Sequence, residues 1–176
     1  MIACADNNIK KLDLQTNQVI VVGSHAKPVK DIYCFFQNNT SVVVSGGWDS
    51  RVKFWTWASP QQLSQIGESY LGKPIHYMSG EFPLLVTAHS EMIIHYWDLR
   101  KIFTKLFDPQ GVLISPLKFA TTSICCFGDA RGFAIGSIEG RCGIKRVNLD
   151  TNATNWSDDF CFKSHRVDDD PKSTYP

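Results

Sequence analysis

The sequence predicts an all-β protein built from a repeated antiparallel hairpin. The first observation is local. In VSGGWDSRVKFW, residues 44–55, an apolar run ends at two glycines, and Asp49-Ser50 supplies turn chemistry before a run in which apolar and basic residues alternate. The second observation is that this hairpin spacing recurs along the chain. The third is that no stretch sustains the period of an amphipathic helix.

The recurring feature is an acidic turn residue followed six positions later by a large apolar residue. The pairs are Asp6 with Leu12, Asp49 with Trp55 and Glu91 with Trp97, and Glu139 takes the acidic position in a weaker fourth copy. The acidic positions are separated by 43, 42 and 48 residues. A period of about 40–45 residues is typical of the blades of a WD-repeat propeller.

The segments between these hairpins also have the composition of short strands, namely VKDIYCFF (29–36), PIHYMSG (74–80) and SICCFG (123–128). Each repeat is therefore expected to be one small antiparallel sheet. We expect about four blades of a seven-bladed propeller, so that the chain is a fragment of a longer protein. The predicted units are 1–23, 24–66, 67–108 and 109–163, and 164–176 would begin a further blade.

The second unit contains a candidate structural tetrad of His25, Ser45, Asp49 and Trp55. We expect Asp49 to accept hydrogen bonds from His25 and from turn amides, His25 to bond Ser45, and Ser45 to reach the indole N–H of Trp55. Such a buried network is stabilising when every member is satisfied. The fourth unit lacks it, because Lys145 falls at the Trp position. A Ser-His-Asp hydrolase triad is the alternative, but no G-x-S-x-G motif accompanies these residues.

The composition and the motifs disfavour several other functional classes of protein. The net charge of +1 does not suit a strongly basic nucleic-acid binder, although a local basic patch is compatible with it. No run reaches the roughly 18 apolar residues of a membrane span, so no membrane insertion is expected. The histidines show no metal-binding spacing and the glycines no phosphate loop, so we expect no metal, no cofactor and no enzymatic activity. The six cysteines form no C-x-x-C pair and are expected to be reduced and buried.

Five strings carry a closer resemblance: NNIKKLDLQTNQ, HAKPVKDI, GGWDSRVKFW, GFAIGSIEGR and FCFKSHR, in this order. Together they resemble the Rae/Gle-type mRNA export factors, which are seven-bladed WD-repeat propellers of the nuclear pore. The resemblance covers nearly the whole chain. The Bub-type spindle-checkpoint propellers share SIEGR and a similar FKCHR string and are the close alternative. Gly136 before Ser137, and the preceding Gly132-Phe133-Ala134, favour the export factors.

The resemblance implies an adaptor of the nucleus, nuclear envelope and nuclear pore complex, present also in the cytoplasm. Its implied partners are a GLEBS peptide (an acidic hairpin-forming segment) of a phenylalanine-glycine nucleoporin, single-stranded RNA, and spindle and checkpoint proteins. Arg141, with Glu139 beside it, would bind the peptide. Phe162, Lys163 and Arg166 would lie at the RNA-binding edge. The alternatives are a checkpoint propeller that binds GLEBS-type peptides of kinases, or another WD-repeat scaffold such as a ubiquitin-ligase receptor.

Overall fold

The computed structural model describes residues 1–151 and 159–164 of the 176-residue chain. Within these ranges, fifteen strands form four antiparallel sheets, which confirms the predicted all-β class. The chain divides into two compact units: Met1–Met78 with Lys101–Asp108, and Ser79–Arg100 with the residues from Pro109 onward. The predicted start of a further blade falls largely on residues 165–176, which lie outside the described part.

The first unit contains two sheets. The first sheet consists of β1 (Ile2–Ala3), β2 (Asn8–Leu12) and β3 (Val19–Ser24), hydrogen-bonded in that order. The second consists of β4 (Val29–Gln37), β5 (Thr40–Gly47), β6 (Arg51–Ser59) and β7 (Gln62–Tyr70), also in chain order. Both sheets contribute to one buried apolar cluster, formed by Ile9, Val22, Val29, Val43, Trp55 and Leu63.

The third sheet contains four strands. Its strands are β8 (Ile75–Glu81), β9 (Leu84–His89), β10 (Ile93–Asp98) and β11 (Gly111–Ile114). The fourth sheet consists of β12 (Thr121–Cys126), β13 (Gly132–Ser137), β14 (Arg141–Arg146) and β15 (Phe160–Lys163). Two short 3₁₀ segments, Ser90–Met92 and Leu99–Thr104, flank β10. Leu84, Ile94, Phe133 and Ile135 lie at the centre of the core of the second unit.

The burial of each strand reflects the pattern of apolar and charged residues in its sequence. In β6, Val52 and Phe54 have no exposed surface, whereas Arg51 and Lys53 remain partly exposed. Successive side chains of a strand point to opposite faces, so this alternation buries one face and leaves the other open to solvent. By contrast, every residue of β9 is buried, as its sequence LLVTAH without charged residues requires.

The four repeats share one hairpin geometry. In each sheet, the residue four before the acidic turn residue pairs with the residue four after it. The pairs are Ile2 with Lys10, Ser45 with Lys53, Thr87 with His95 and Ile135 with Gly143. The residue directly after the acid always has a positive φ: 71° at Asn7, 64° at Ser50, 62° at Met92 and 67° at Gly140. The recurrent spacing in the sequence therefore reports a recurrent turn.

All six cysteines are free, so no disulfide links the described residues. The expectation that they are buried is wrong, because Cys34, Cys125 and Cys161 are exposed and the other three only partly covered. The alternation within β4 shows the reason: Phe35 takes the inward position, which leaves the neighbouring Cys34 outward. Within the described ranges, no helix is both long enough and apolar enough to cross a membrane.

Candidate functional site

The four residues of the predicted tetrad form a continuous hydrogen-bonded chain across the second sheet. Nδ1 of His25 lies 3.0 Å from both carboxylate oxygens of Asp49, and its Nε2 lies 2.7 Å from Oγ of Ser45. The indole Nε1 of Trp55 donates to the same hydroxyl over 2.8 Å. Asp49 also accepts from the backbone amides of Ala26 and Arg51, at 3.1 and 3.2 Å. Asp49 thereby fixes both the loop before β4 and the start of β6.

The partners determine the tautomer of His25. Because Nδ1 faces the Asp49 carboxylate, it carries the proton and donates. Nε2 is then the acceptor for the Ser45 hydroxyl, which in turn accepts from Trp55. Burial lowers the pKa of His25 below its usual range, although the hydrogen bonds to Asp49 act in the opposite direction. The neutral imidazole is therefore the form that suits this network.

The surroundings of the network favour a structural role over catalysis. Ser45 has no exposed surface, so its hydroxyl does not face a substrate. A Cβ at Gly47 would lie 2.7 Å from both Oδ1 of Asp49 and Nδ1 of His25, so the close approach of strand β5 requires glycine there. A hydrolase triad needs an accessible nucleophile. The buried chain of hydrogen bonds does not provide one.

The third and fourth sheets use different side chains at the equivalent positions. In the third sheet, Thr87 Oγ1 lies 2.7 Å from Nε2 of His89, a residue of the same strand. In the fourth sheet, Lys145 stands at the Trp position, and its ammonium lies 2.6 Å from Oδ2 of Asp159. Asp159 also accepts from the backbone amide of Arg146 at 2.8 Å. This ion pair fixes the residue that precedes β15 onto β14.

The predicted peptide-binding residues lie at the turn between β13 and β14. Arg141 is the first residue of β14, and Glu139 lies in the preceding turn. Nε of Arg141 is 3.5 Å from Oε2 of Glu139, which is an ion-pair distance. The buried Nε–H of Arg141 donates no hydrogen bond within the described residues. The side chain of Arg141 is nevertheless 38% exposed. The guanidinium is thus held loosely by Glu139 and accessible from solvent.

The predicted RNA-binding residues Phe162 and Lys163 lie on β15, the edge strand of the fourth sheet. Both are exposed, and Phe162 is exposed by 45%. As neighbours in a strand, the two side chains point to opposite faces of the sheet. Phe162 shares its face with Phe160, whose ring centroid lies 6.0 Å away. Arg166 lies outside the described residues.

Strand pairing brings the two predicted sites together. Arg141 pairs directly with Lys163, and Cys142 pairs with Phe162. Directly opposed residues of antiparallel strands project to the same face. One face of this strand pair therefore carries two cations, and the other face carries the aromatic pair of Phe160 and Phe162.

No cluster of metal-binding side chains lies within the described residues. Among residues 1–151 and 159–164, no group of three or more His, Cys, Asp or Glu side chains is placed to hold a metal ion. The two histidines that do approach each other, His89 and His95, are buried and meet edge to face at 4.7 Å. Burial lowers the pKa of His95 below its usual range.

The sequence is similar to named proteins over almost its entire length. The mRNA export factor GLE2 of Chaetomium thermophilum is 34% identical over 164 residues, which cover 93% of this chain and 43% of that protein. The mRNA export factor rae-1 of Caenorhabditis elegans is 33% identical over 170 residues, which cover 94% of this chain and 43% of that protein. The resemblance to the Rae/Gle-type WD-repeat proteins is confirmed. No protein-family model matches the chain.

One Bub-type protein is similar to the chain at nearly the same level as the two export factors. Mitotic checkpoint protein bub-3 of Caenorhabditis elegans is 32% identical over 168 residues, which cover 93% of this chain and 46% of that protein. A difference of one or two percentage points does not separate this protein from the two export factors. The chain spans less than half the length of the Rae/Gle-type and Bub-type relatives named above.

Sequence reasoning missed two residues of the strand pair that resembles the Rae/Gle-type motifs. Phe160 doubles the exposed aromatic surface beside Phe162, and Asp159 fixes the start of their strand. Phe160 stands two positions before Phe162, and residues two apart in a strand share a face. This spacing in the sequence indicated that Phe160 would lie beside Phe162. Asp159 gave no local signal, because its partner Lys145 lies on another strand.

Proposed function

We propose that this chain is part of a non-enzymatic WD-repeat adaptor of nuclear mRNA export that binds an acidic GLEBS-type nucleoporin peptide and single-stranded RNA. It would act in the nucleus at the nuclear envelope and nuclear pore complex, and also in the cytoplasm. The observation that carries the proposal is the pairing of Arg141 with Lys163 on an exposed edge, backed by the aromatic pair on the other face. The similarity to proteins named mRNA export factors supports the same conclusion.

The cationic face suits the acidic peptide. A peptide carboxylate placed between Arg141 and Lys163 would be attracted by both cations. The carboxylate of Glu139 lies 3.5 Å from Nε of Arg141, which is too long for a strong hydrogen bond. A peptide glutamate that bonds the guanidinium with better geometry would replace this contact. The planar guanidinium can hold that carboxylate through two parallel N–H···O bonds. Arg141 would thus contact the peptide, and Glu139 would hold the guanidinium until the peptide replaces it.

The aromatic face suits single-stranded RNA. Phe160 and Phe162 are exposed by 56% and 45%, and their rings are tilted by 34° at 6.0 Å. Exposed aromatic rings on a strand offer stacking surfaces to unpaired bases. Lys163 is the last residue of the same edge strand, and its ammonium would contact an RNA phosphate that passes around the edge of the sheet. Arg166 follows three positions later in the sequence and would extend the basic segment.

The experiment is a calorimetric titration of the full chain with a synthetic GLEBS peptide from a phenylalanine-glycine nucleoporin. We expect saturable binding, and a loss of roughly 30-fold or more in affinity for Arg141→Glu, since breaking a desolvated charge pair costs about 2–5 kcal/mol. Lys118→Glu makes the same charge change at an exposed site outside the strand pair and is the matched control. Equal losses in both variants would contradict the assignment of Arg141.

A checkpoint adaptor is the second candidate, because bub-3 of Caenorhabditis elegans is almost as similar to the chain as the export factors are. Its partner would be a GLEBS-type peptide carried by a kinase. Titration with both peptides distinguishes the two functions. Tighter binding of the nucleoporin peptide supports the export adaptor, and tighter binding of the kinase peptide supports the checkpoint adaptor.

A further inference from the structure

The second unit contains a cleft of about 550 Å³ at the end of β14 that is remote from Arg141. Three arginines line it: Arg100 after β10, Arg131 before β13 and Arg146 at the end of β14. Asp129 and Asp150 are the acidic lining residues. The cleft lies within the size range of small-ligand sites, which is about 300–1,000 Å³. Neither the sequence motifs nor the proposed function uses it.

Two of the arginines are held in place by carboxylates. Arg100 donates from Nε and Nη2 to the two carboxylate oxygens of Asp98, both at 2.8 Å, and from Nη2 to Asp150 at 2.7 Å. Arg146 donates from Nη1 to Asp129 at 3.1 Å. These contacts orient the guanidinium groups before any ligand arrives. Nη1 of Arg100 and Nη2 of Arg146 still have no hydrogen bond to any described residue.

The side chain of the third arginine is accessible from solvent. Arg131 is exposed, and its side chain makes no hydrogen bond or ion pair within residues 1–151 and 159–164. Its backbone is nevertheless fixed, because its amide donates to Asp129 at 3.0 Å and its carbonyl accepts from Val147 at 2.9 Å. A free guanidinium on an anchored turn, beside two oriented guanidinium groups, is a preorganised anion site.

The free donors of the cleft favour an anion with several acceptor oxygens. Asp98 pairs with Arg100, so the aspartates in and beside the cleft balance its three arginines in charge. Donor groups without a hydrogen bond to any described residue nevertheless remain on all three guanidinium groups. A phosphate monoester presents three strong acceptor oxygens to such donors, whereas a carboxylate presents two. It therefore matches the number of free donors.

RNA is a poorer match for this cleft. Single-strand binding combines phosphate contacts with base stacking on aromatic rings. The ring of Phe127 is covered by the guanidinium of Arg146, which lies 5.0 Å from its centroid. Among the lining residues of the cleft, none is aromatic. A polynucleotide would thus gain phosphate contacts without a stacking surface.

We propose that the cleft between Arg100, Arg131 and Arg146 binds a phosphate monoester, carried either by a phosphorylated side chain or by a small metabolite. Arg131 makes the main contact, and the free donors of Arg100 and Arg146 complete the site. The two sources present the same terminal phosphate group. A peptide adds contacts along the rim, whereas a metabolite fits inside the cleft.

The test is calorimetric titration of the full chain with O-phosphoserine, with serine and with a short phosphoserine peptide. We expect O-phosphoserine to bind and serine not to bind. Arg131→Ala should weaken binding about tenfold or more, since a hydrogen-bonded charge is lost. Arg131→Lys should recover part of the affinity. Lys118→Ala removes the same charge elsewhere and should leave the affinity within twofold of the parent.

Each outcome bears on the proposal. Because the Arg131 side chain is exposed and has no partner within the described residues, Arg131→Ala should keep the parent's thermal midpoint, so a loss of binding is not a loss of folding. Tighter binding of the peptide than of O-phosphoserine assigns the site to a phosphorylated side chain, and equal binding assigns it to a small phosphomonoester. Absence of binding by the parent, or equal losses for Arg131→Ala and Lys118→Ala, overturns the proposal. So does a single-stranded RNA oligonucleotide that displaces O-phosphoserine and depends equally on Arg131.

Discussion

Arg141 and Lys163 lie directly opposite each other on β14 and β15, and both side chains project to the same face. Glu139 lies 3.5 Å from Arg141 and compensates part of this charge. Both cationic side chains are at least partly exposed, so this face of the strand pair presents two cations to solvent.

Lys163→Gln should weaken binding of the acidic peptide, because one cation of the exposed face is lost. The expected loss is modest, since an exposed ion pair contributes about 0.2–1 kcal/mol. Calorimetry measures the affinity, and the loss should be larger at low salt, where charges are less screened. Lys118→Gln serves as the control and should leave the affinity unchanged. Equal losses in the two variants would contradict a role for Lys163 in binding.

Phe162→Ala should weaken binding of single-stranded RNA without affecting the peptide. Stacking on an aromatic side chain contributes about 1–3 kcal/mol per base, so we expect a loss of roughly fivefold to 150-fold. Phe160→Ala should behave similarly, because the two rings share one face. Filter binding at moderate salt measures the RNA affinity, and calorimetry measures that of the peptide.

The matched control for the RNA experiment is Phe36→Ala, since Phe36 is 66% exposed at the end of β4 in another sheet. It should leave RNA binding unchanged. If Phe36→Ala and Phe162→Ala weaken RNA binding equally, the aromatic pair on β15 is not the site. A loss of peptide affinity in Phe162→Ala would instead mean that the two faces are not independent.

The sequence predicted those features that depend on local spacing. The turn after each acidic residue needs one residue of positive φ, and the strands on both sides pair in a fixed register. Both properties repeat with the acidic positions, so the hairpins could be recognised without a structure. The resemblance to known motifs added the candidate contact residues Arg141 and Phe162.

The remaining features depend on pairing between distant segments. Arg141 and Lys163 are far apart in sequence, and their opposition follows from the register of β14 with β15. Phe162 and Lys163 project to opposite faces only because they are neighbours in a strand. In a loop, the two side chains could project to the same side. The cleft around Arg131 combines turns from two sheets of the second unit and gave no motif.

Asp49→Ala should destabilise the protein by about 1–3 kcal/mol. The Asp49 side chain is 5% exposed and accepts from His25 and from two backbone amides, so its removal leaves buried donors unsatisfied. Asp6→Ala is the matched control, because Asp6 holds the same repeat position in the first sheet but is 48% exposed and pairs with Lys10. Denaturant unfolding compares the two variants. Equal effects would mean that the buried network adds nothing beyond the turn itself.

Acidification should destabilise the protein through His25. Burial lowers the pKa of His25 in the folded state, whereas the unfolded chain keeps a value of about 6.5. Between these two pKa values the unfolded chain binds more protons than the folded protein. The contribution of His25 to stability is therefore complete above about pH 6.5 and is lost as the pH falls through this window. His95, whose pKa burial also lowers, acts in the same direction.

The measurement is the thermal midpoint between pH 7.5 and pH 5.5 for the parent and for His25→Gln. The variant should melt lower at pH 7.5, since the chain from Asp49 to Trp55 is interrupted, but its midpoint should fall less on acidification. Burial raises the pKa of Asp31, which acts in the opposite direction, yet Asp31 is common to both proteins and cancels in the comparison. Parallel pH profiles for parent and variant would show that His25 does not titrate differently in the folded and unfolded states.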